Sequence, residues 1–280
     1  MFLDTTGLKP IILSMQDKHL NLFYAYGARD KEGNLLEDNL TRAFVQTIRL
    51  LSDEHRKVFL GDLFKRAKHR MLSDRIEKPS KEESARLKGL DFKRADVALQ
   101  GYIPSNRLPR DADFARVVTI SRGDKPQWQK EKKSKSCPDA WVFDRDGHSY
   151  CLLVECKCWS NNPIDPDQIC RHWNEWLRDK GEEKEKGWDD IAPDLLDLTW
   201  YDVLESIKAT TQEPETESIP APEARDRNEL EKQMLKELRE FLGFYGYWLF
   251  EGFSFELLES PPEWQLFSFD SSDTKRGGRR

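Results

Sequence analysis

No apolar run in this chain approaches the ~20 residues that a membrane-spanning helix requires. The longest, Phe241 to Phe250, is short and is broken by Gly243 and Gly246. The N-terminus lacks a basic segment followed by an apolar stretch and carries Asp4 early, so no signal peptide is read there. A net positive charge is also missing. At −6 the chain is not basic overall, which excludes a histone-like coat but leaves room for a local basic stripe. Cysteine is scarce: five residues, an odd number, between 137 and 170. None are spaced Cys-x₂-Cys, and no His follows at finger spacing, so they read as small buried thiols, reduced in a cytoplasmic protein, and not as a zinc site. A glycine-rich phosphate loop is absent, which argues against ATP hydrolysis. There is no internal repeat.

Aromatic residues, in contrast, are plentiful. Nine Trp, fifteen Phe and seven Tyr in 280 residues exclude full disorder. Apolar residues make up 38% and charged residues 34%, the pattern of a folded core carrying polar loops or tails. The length suits one large domain or two small ones.

Along the chain, a helix is expected after Asn34, where Leu40, Phe44, Ile48 and Leu51 recur at helical spacing. A second is expected over 54–71, with the basic run Lys65, Arg66, Lys68, His69, Arg70 near its end, and residues 74–94 read as charged and exposed. Strands are expected at 96–99, 117–120 and 140–143, and a longer one over 149–158 with apolar residues on both faces, the mark of a central strand. Arg145-Asp146-Gly147 reads as the hairpin loop between the last two. Helices are expected at 167–177, after Thr199 and at 228–242.

The hairpin at 139–157 carries the chemistry. Its loop sets Asp139 on the sheet face of Glu155, directly opposite or one diagonal step away, and Lys157 shares that face by the period of two. Two carboxylates and an ammonium on a central strand are costly unless paired or bound to a metal. Asp139 and Glu155 are hard oxygen ligands suited to Mg²⁺, with Mn²⁺ as a substitute, and the backbone carbonyl of Cys156 lies between them. Lys157 is placed to hold an attacking water or a phosphate oxygen. The competing reading of Asp139 and Lys157 is a structural ion pair. The basic residues Lys130, Lys132, Lys133 and Lys135 lead directly into Pro138, so this segment is the expected nucleic-acid footprint, with 65–70 as a second. Trp141, Trp159, Trp173 and Trp176 are placed to stack on bases or to fill the core.

Pro138-Asp139, then Glu155-Cys156-Lys157, resembles the motif of the PD-(D/E)XK, or restriction endonuclease-like, nuclease superfamily. Leu36-Glu37-Asp38-Asn39-Leu40-Thr41-Arg42-Ala43-Phe44 before the strands and Gln168-Ile169-Cys170-Arg171-His172 after them extend the likeness to bacterial defence-associated nucleases. It covers about Glu37 to Leu177. The resemblance implies an α/β fold with an αβββαβ core and a mixed central sheet. It implies a Mg²⁺-dependent deoxyribonuclease, an endonuclease of anti-phage defence or restriction that leaves 5′-phosphate ends, working with DNA and as a homo-oligomer or beside a partner subunit. Glu37 becomes a further metal ligand, although its place three residues after Asn34 equally fits a capping box. Gln168 becomes a support for water or phosphate, and Arg171 and His172 become phosphate contacts, although an exposed helix face is the commoner reading of both. The alternatives are a repair or junction-resolving nuclease and a non-catalytic DNA- or protein-binding module. The chain divides on this reading into a nuclease core with an N-terminal extension at 1–211, an acidic proline-rich linker at 212–223, a C-terminal helix and aromatic segment at 224–272 that packs on the core or on a partner, and a basic tail at 273–280.

Overall fold

A computed structural model describes residues 34–70, 76–77, 80–99, 112–123, 125–127, 137–145, 149–158, 163–178, 184–212, 222–244 and 246–247. The side chains of 34–38, 69–70, 76–77 and 222–225 lie outside that description. The described residues all belong to one compact unit, Met1–Trp248. It is a mixed α/β fold around a seven-stranded sheet.

In chain order the elements are α1 (Asn34–Leu50), α2 (Asp53–Lys65), β1 (Lys68–Arg70), β2 (Ile76–Glu77), α3 (Lys81–Gly89), β3 (Ala95–Leu99), β4 (Ala115–Ser121), β5 (Ala140–Asp144), β6 (Cys151–Cys156), α4 (Pro166–His172), α5 (Trp188–Ile191), β7 (Leu196–Thr199), α6 (Trp200–Thr211) and α7 (Pro222–Phe244). The strands lie in the order β2-β1-β7-β4-β6-β5-β3. The inner strands β7, β4 and β6 are parallel, and β5 and β3 add on antiparallel beyond β6. At the other edge β1 and β2 are also antiparallel. Every residue of β6 is buried, as expected of a strand covered on both faces.

One face of the sheet packs on α4. Val117, Trp141, Cys151 and Leu153 form a core there with Ile164, Ile169, Trp173 and Leu177. The other helices include α2 packed with α6, and α7 lying on both α1 and α6. Ser52 caps α2 by accepting from the amide of His55, and Thr199 and Asp202 form a reciprocal capping box at the start of α6.

Several boundaries differ from the sequence expectation. The second helix stops at Lys65, and β1 takes up Lys68–Arg70, so the basic run 65–70 straddles a helix end and a sheet edge. The exposed, charged stretch after 74 contains α3, held by the single buried residue Leu87 among its described positions. The helix expected at 167–177 is regular only to His172 and then widens to a π-helical turn over Trp173–Leu177. The last helix begins at Pro222, inside the stretch expected as a linker, because proline suits the first turn of a helix. Residues 1–33, most of 212–221 and the segment from Trp248 onward lie outside the described residues.

Candidate active site

Glu155 is the penultimate residue of β6 and is 1% exposed. The β5–β6 ladder pairs Ala140 with Val154 and Trp141 with Leu153. Continued by one residue, this register sets Asp139 opposite Glu155. Asp139 is half-buried, and its Oδ2 accepts from the amide of Cys156 at 2.8 Å. That bond ties the residue just before β5 to the end of β6. Lys157 is 7% exposed and places its Nζ 2.8 Å from Glu155 Oε1.

The remaining contacts to Glu155 come from α4. Asp165 caps this helix and Pro166 opens it. Gln168 and His172 are four residues apart and so share one helix face. Gln168 Nε2 donates to Glu155 Oε1 at 2.6 Å, and His172 Nε2 donates to Oε2 at 3.0 Å. His172 is fully buried. This corrects the sequence expectation of an exposed helix face around Arg171 and His172. The i, i+4 pairing of Gln168 and His172, with Ile169 and Trp173 on the core side, was the signal available in the sequence. Arg171 is half-buried, and its Nε has no hydrogen-bond partner among the described residues.

Burial alone raises the carboxyl of Glu155. The Lys157 ammonium, and then the hydrogen bond and charge of His172, outweigh burial and lower it to about 2. Glu155 is therefore a carboxylate under all ordinary conditions. Cys156 points to the other side, fully buried, and burial followed by the charge of Asp139 pushes its thiol well above the usual range. Cys151 is raised to about 12 by burial. These thiols are protonated core residues.

Two further polar residues were not singled out in the sequence. The parallel registers place Thr119 of β4 between Glu155 of β6 and Asp197 of β7. Thr119 is fully buried and donates its hydroxyl to Asp197 Oδ1 at 2.7 Å, and Asp197 is 4% exposed. A row of polar side chains thus crosses three adjacent strands on the α4 face. Asp197 sits in Leu196-Asp197-Leu198-Thr199, and only the pairing of distant strands reveals its place beside Thr119.

Comparison with family models, with curated proteins and with solved structures found no match to this chain. The site is read from its own geometry. Among the described residues no group of three or more His, Cys, Asp or Glu is arranged to hold a metal ion. Magnesium commonly takes only one or two carboxylates, with water and substrate phosphate completing its octahedron. Asp139 and Glu155 at opposed positions fit that donor set. A carboxylate offers about four lone-pair positions, and Glu155 uses three on Gln168, Lys157 and His172. Among the described residues, one position on Oε2 remains.

Of the other expected site residues, Glu37 falls in α1 with its side chain outside the described residues. Lys130, Lys132, Lys133 and Lys135 also lie outside them, as does Trp159. Trp141 and Trp173 are buried, and Trp176 meets Trp141 edge to face at 5.5 Å. Trp141 and Trp173 belong to the core, and the partly buried Trp176 packs against it.

Proposed function

We propose that the chain is a metal-dependent phosphodiester hydrolase acting on DNA. The observation that carries this reading is the cluster at the ends of β5 and β6: Asp139 opposite Glu155, with the ammonium of Lys157 held 2.8 Å from Glu155. Asp139 and Glu155 would hold Mg²⁺ or Mn²⁺, which when bound supplies positive charge at the scissile phosphate and a more acidic water. The protein does the rest. Lys157 orients the attacking water and offsets charge that develops on the phosphoryl oxygens. Gln168 and His172 fix both oxygens of Glu155, so the carboxylate meets the substrate in one orientation. The Asp139–Cys156 bond holds the two strand ends in register. A role in anti-phage defence follows from the motif resemblance and adds no further residue to the site.

One observation favours a second reading, a non-catalytic binding module on the same fold. Three donors already engage Glu155, as they would in a purely structural cluster. Incubation of the pure protein with plasmid and linear DNA in Mg²⁺, Mn²⁺ or EDTA separates the two. The nuclease reading expects cleavage with either cation, none in EDTA and none by Asp139→Ala. Binding without cleavage under all conditions supports the module.

A further inference from the structure

The residues that hold Lys157 in place are distant in sequence. β6 ends at Cys156, and Lys157 makes a last contact with β4 by donating its amide to the Ile120 carbonyl at 2.8 Å. The next two carbonyls lie beyond the paired strand. Trp200 Nε1 donates to the Lys157 carbonyl at 3.0 Å, and the Tyr247 hydroxyl donates to the Cys158 carbonyl at 2.6 Å. Trp200, Tyr247 and Cys158 are all at most 1% exposed. Trp200 opens α6, whereas Tyr247 follows the end of α7. The Tyr247 ring packs against Trp200 at 6.2 Å and Tyr201 at 5.7 Å, and the Arg122 guanidinium lies over it at 5.4 Å.

A lysine side chain has four rotatable bonds, so its ammonium is only as well placed as the backbone that carries it. At a strand end, fraying moves that backbone. Two buried aromatic donors on consecutive carbonyls oppose it. We propose that Tyr247 is a positioning residue for Lys157: its hydroxyl, together with the Trp200 indole, fixes the chain after β6 so that the ammonium stays against Glu155. The catalytic consequence rests on the nuclease reading above, whereas the positioning itself does not.

Tyr247→Phe removes the hydroxyl and retains the ring contacts to Trp200, Tyr201 and Arg122. The test compares the full-length variant with wild type in two ways: amide hydrogen exchange at Lys157 and at Val118 in mid-β4, and plasmid cleavage in Mg²⁺. Loss of one buried hydrogen bond should speed exchange at Lys157 by roughly fivefold or more relative to Val118. With cleavage, kcat should fall by a similar factor while KM for DNA is unchanged. Tyr201→Phe, which retains both carbonyl bonds, should alter neither. Equal acceleration at Lys157 and Val118 shows a merely structural role and overturns the proposal. So does an unchanged Lys157 amide, or an unchanged kcat in Tyr247→Phe. A wild-type protein that never cleaves overturns the nuclease reading, and the exchange comparison then decides the positioning by itself.

Discussion

Glu155 receives donors from Gln168, Lys157 and His172 while only 1% of it meets solvent. Its replacement takes from the buried Lys157 ammonium the carboxylate 2.8 Å away. Glu155→Ala should therefore cost about 3–5 kcal/mol in urea unfolding, the usual penalty for breaking a buried pair. Asp139 is half-buried, so Asp139→Ala should abolish the proposed cleavage at a much smaller cost, near 1 kcal/mol. Equal losses of stability in the two variants would contradict the burial difference. The pH dependence has a definite sign. The folded-state value of Glu155 lies at about 2, below its ordinary 4.5. Its contribution is complete above pH 4.5 and is lost as pH falls from there through 2. Acid unfolding of Glu155→Gln should be flatter than wild type across that window, as followed by circular dichroism.

Among the elements, α7 shows how a long amphipathic helix is fastened. Leu235, Leu238, Phe241 and Leu242 are fully buried, and the helix packs on α1 and α6. At its N-terminal half Glu231, 3% exposed, accepts from Ser52 Oγ at 2.7 Å and from Arg227 Nε at 2.8 Å, and also contacts His55. Burial raises its carboxyl, but the bonds from Ser52, Arg227 and His55 outweigh this and lower it. Leu238→Ala should cost about 2–5 kcal/mol. Arg56 performs a similar service for α1. It is 5% exposed and donates to the carbonyls of Ile48, Leu51 and Lys93. Arg56→Met keeps much of the side-chain volume but leaves these carbonyls unpaired. A loss of about 3 kcal/mol in denaturant titration is expected, and a loss under 1 kcal/mol would show that water replaces the guanidinium.

For the molecule as a whole, α7 belongs with the sheet domain. A chain ending at residue 221 would expose the faces of α1 and α6 that α7 covers, and it should aggregate on size-exclusion chromatography. A soluble, monomeric product would contradict that packing. Cation binding offers a second global readout. At ten times its Kd, Mg²⁺ should stabilise the protein by about 1.4 kcal/mol, a rise of a few degrees in Tm that Asp139→Ala should lack. Equal shifts in both proteins would place the bound ion elsewhere.

Local patterns in the sequence anticipated strands at 96–99, 117–120, 140–143 and 149–158, each within about two residues of the strands observed, because periodicity and turn residues act over short distances. They also set Asp139 opposite Glu155 or one diagonal step away, and the β5–β6 register selects the first. Other features depended on contacts between distant segments. His172 entered the core because α4 turned that face toward β6, and Asp197 joined Thr119 through parallel pairing of β4 with β7. Trp200 and Tyr247 reached the backbone after Glu155 from the far third of the chain, the latter across 89 positions. Parallel crossovers and helix docking bring together residues that no short window contains, so these parts of the site were decided by the tertiary structure.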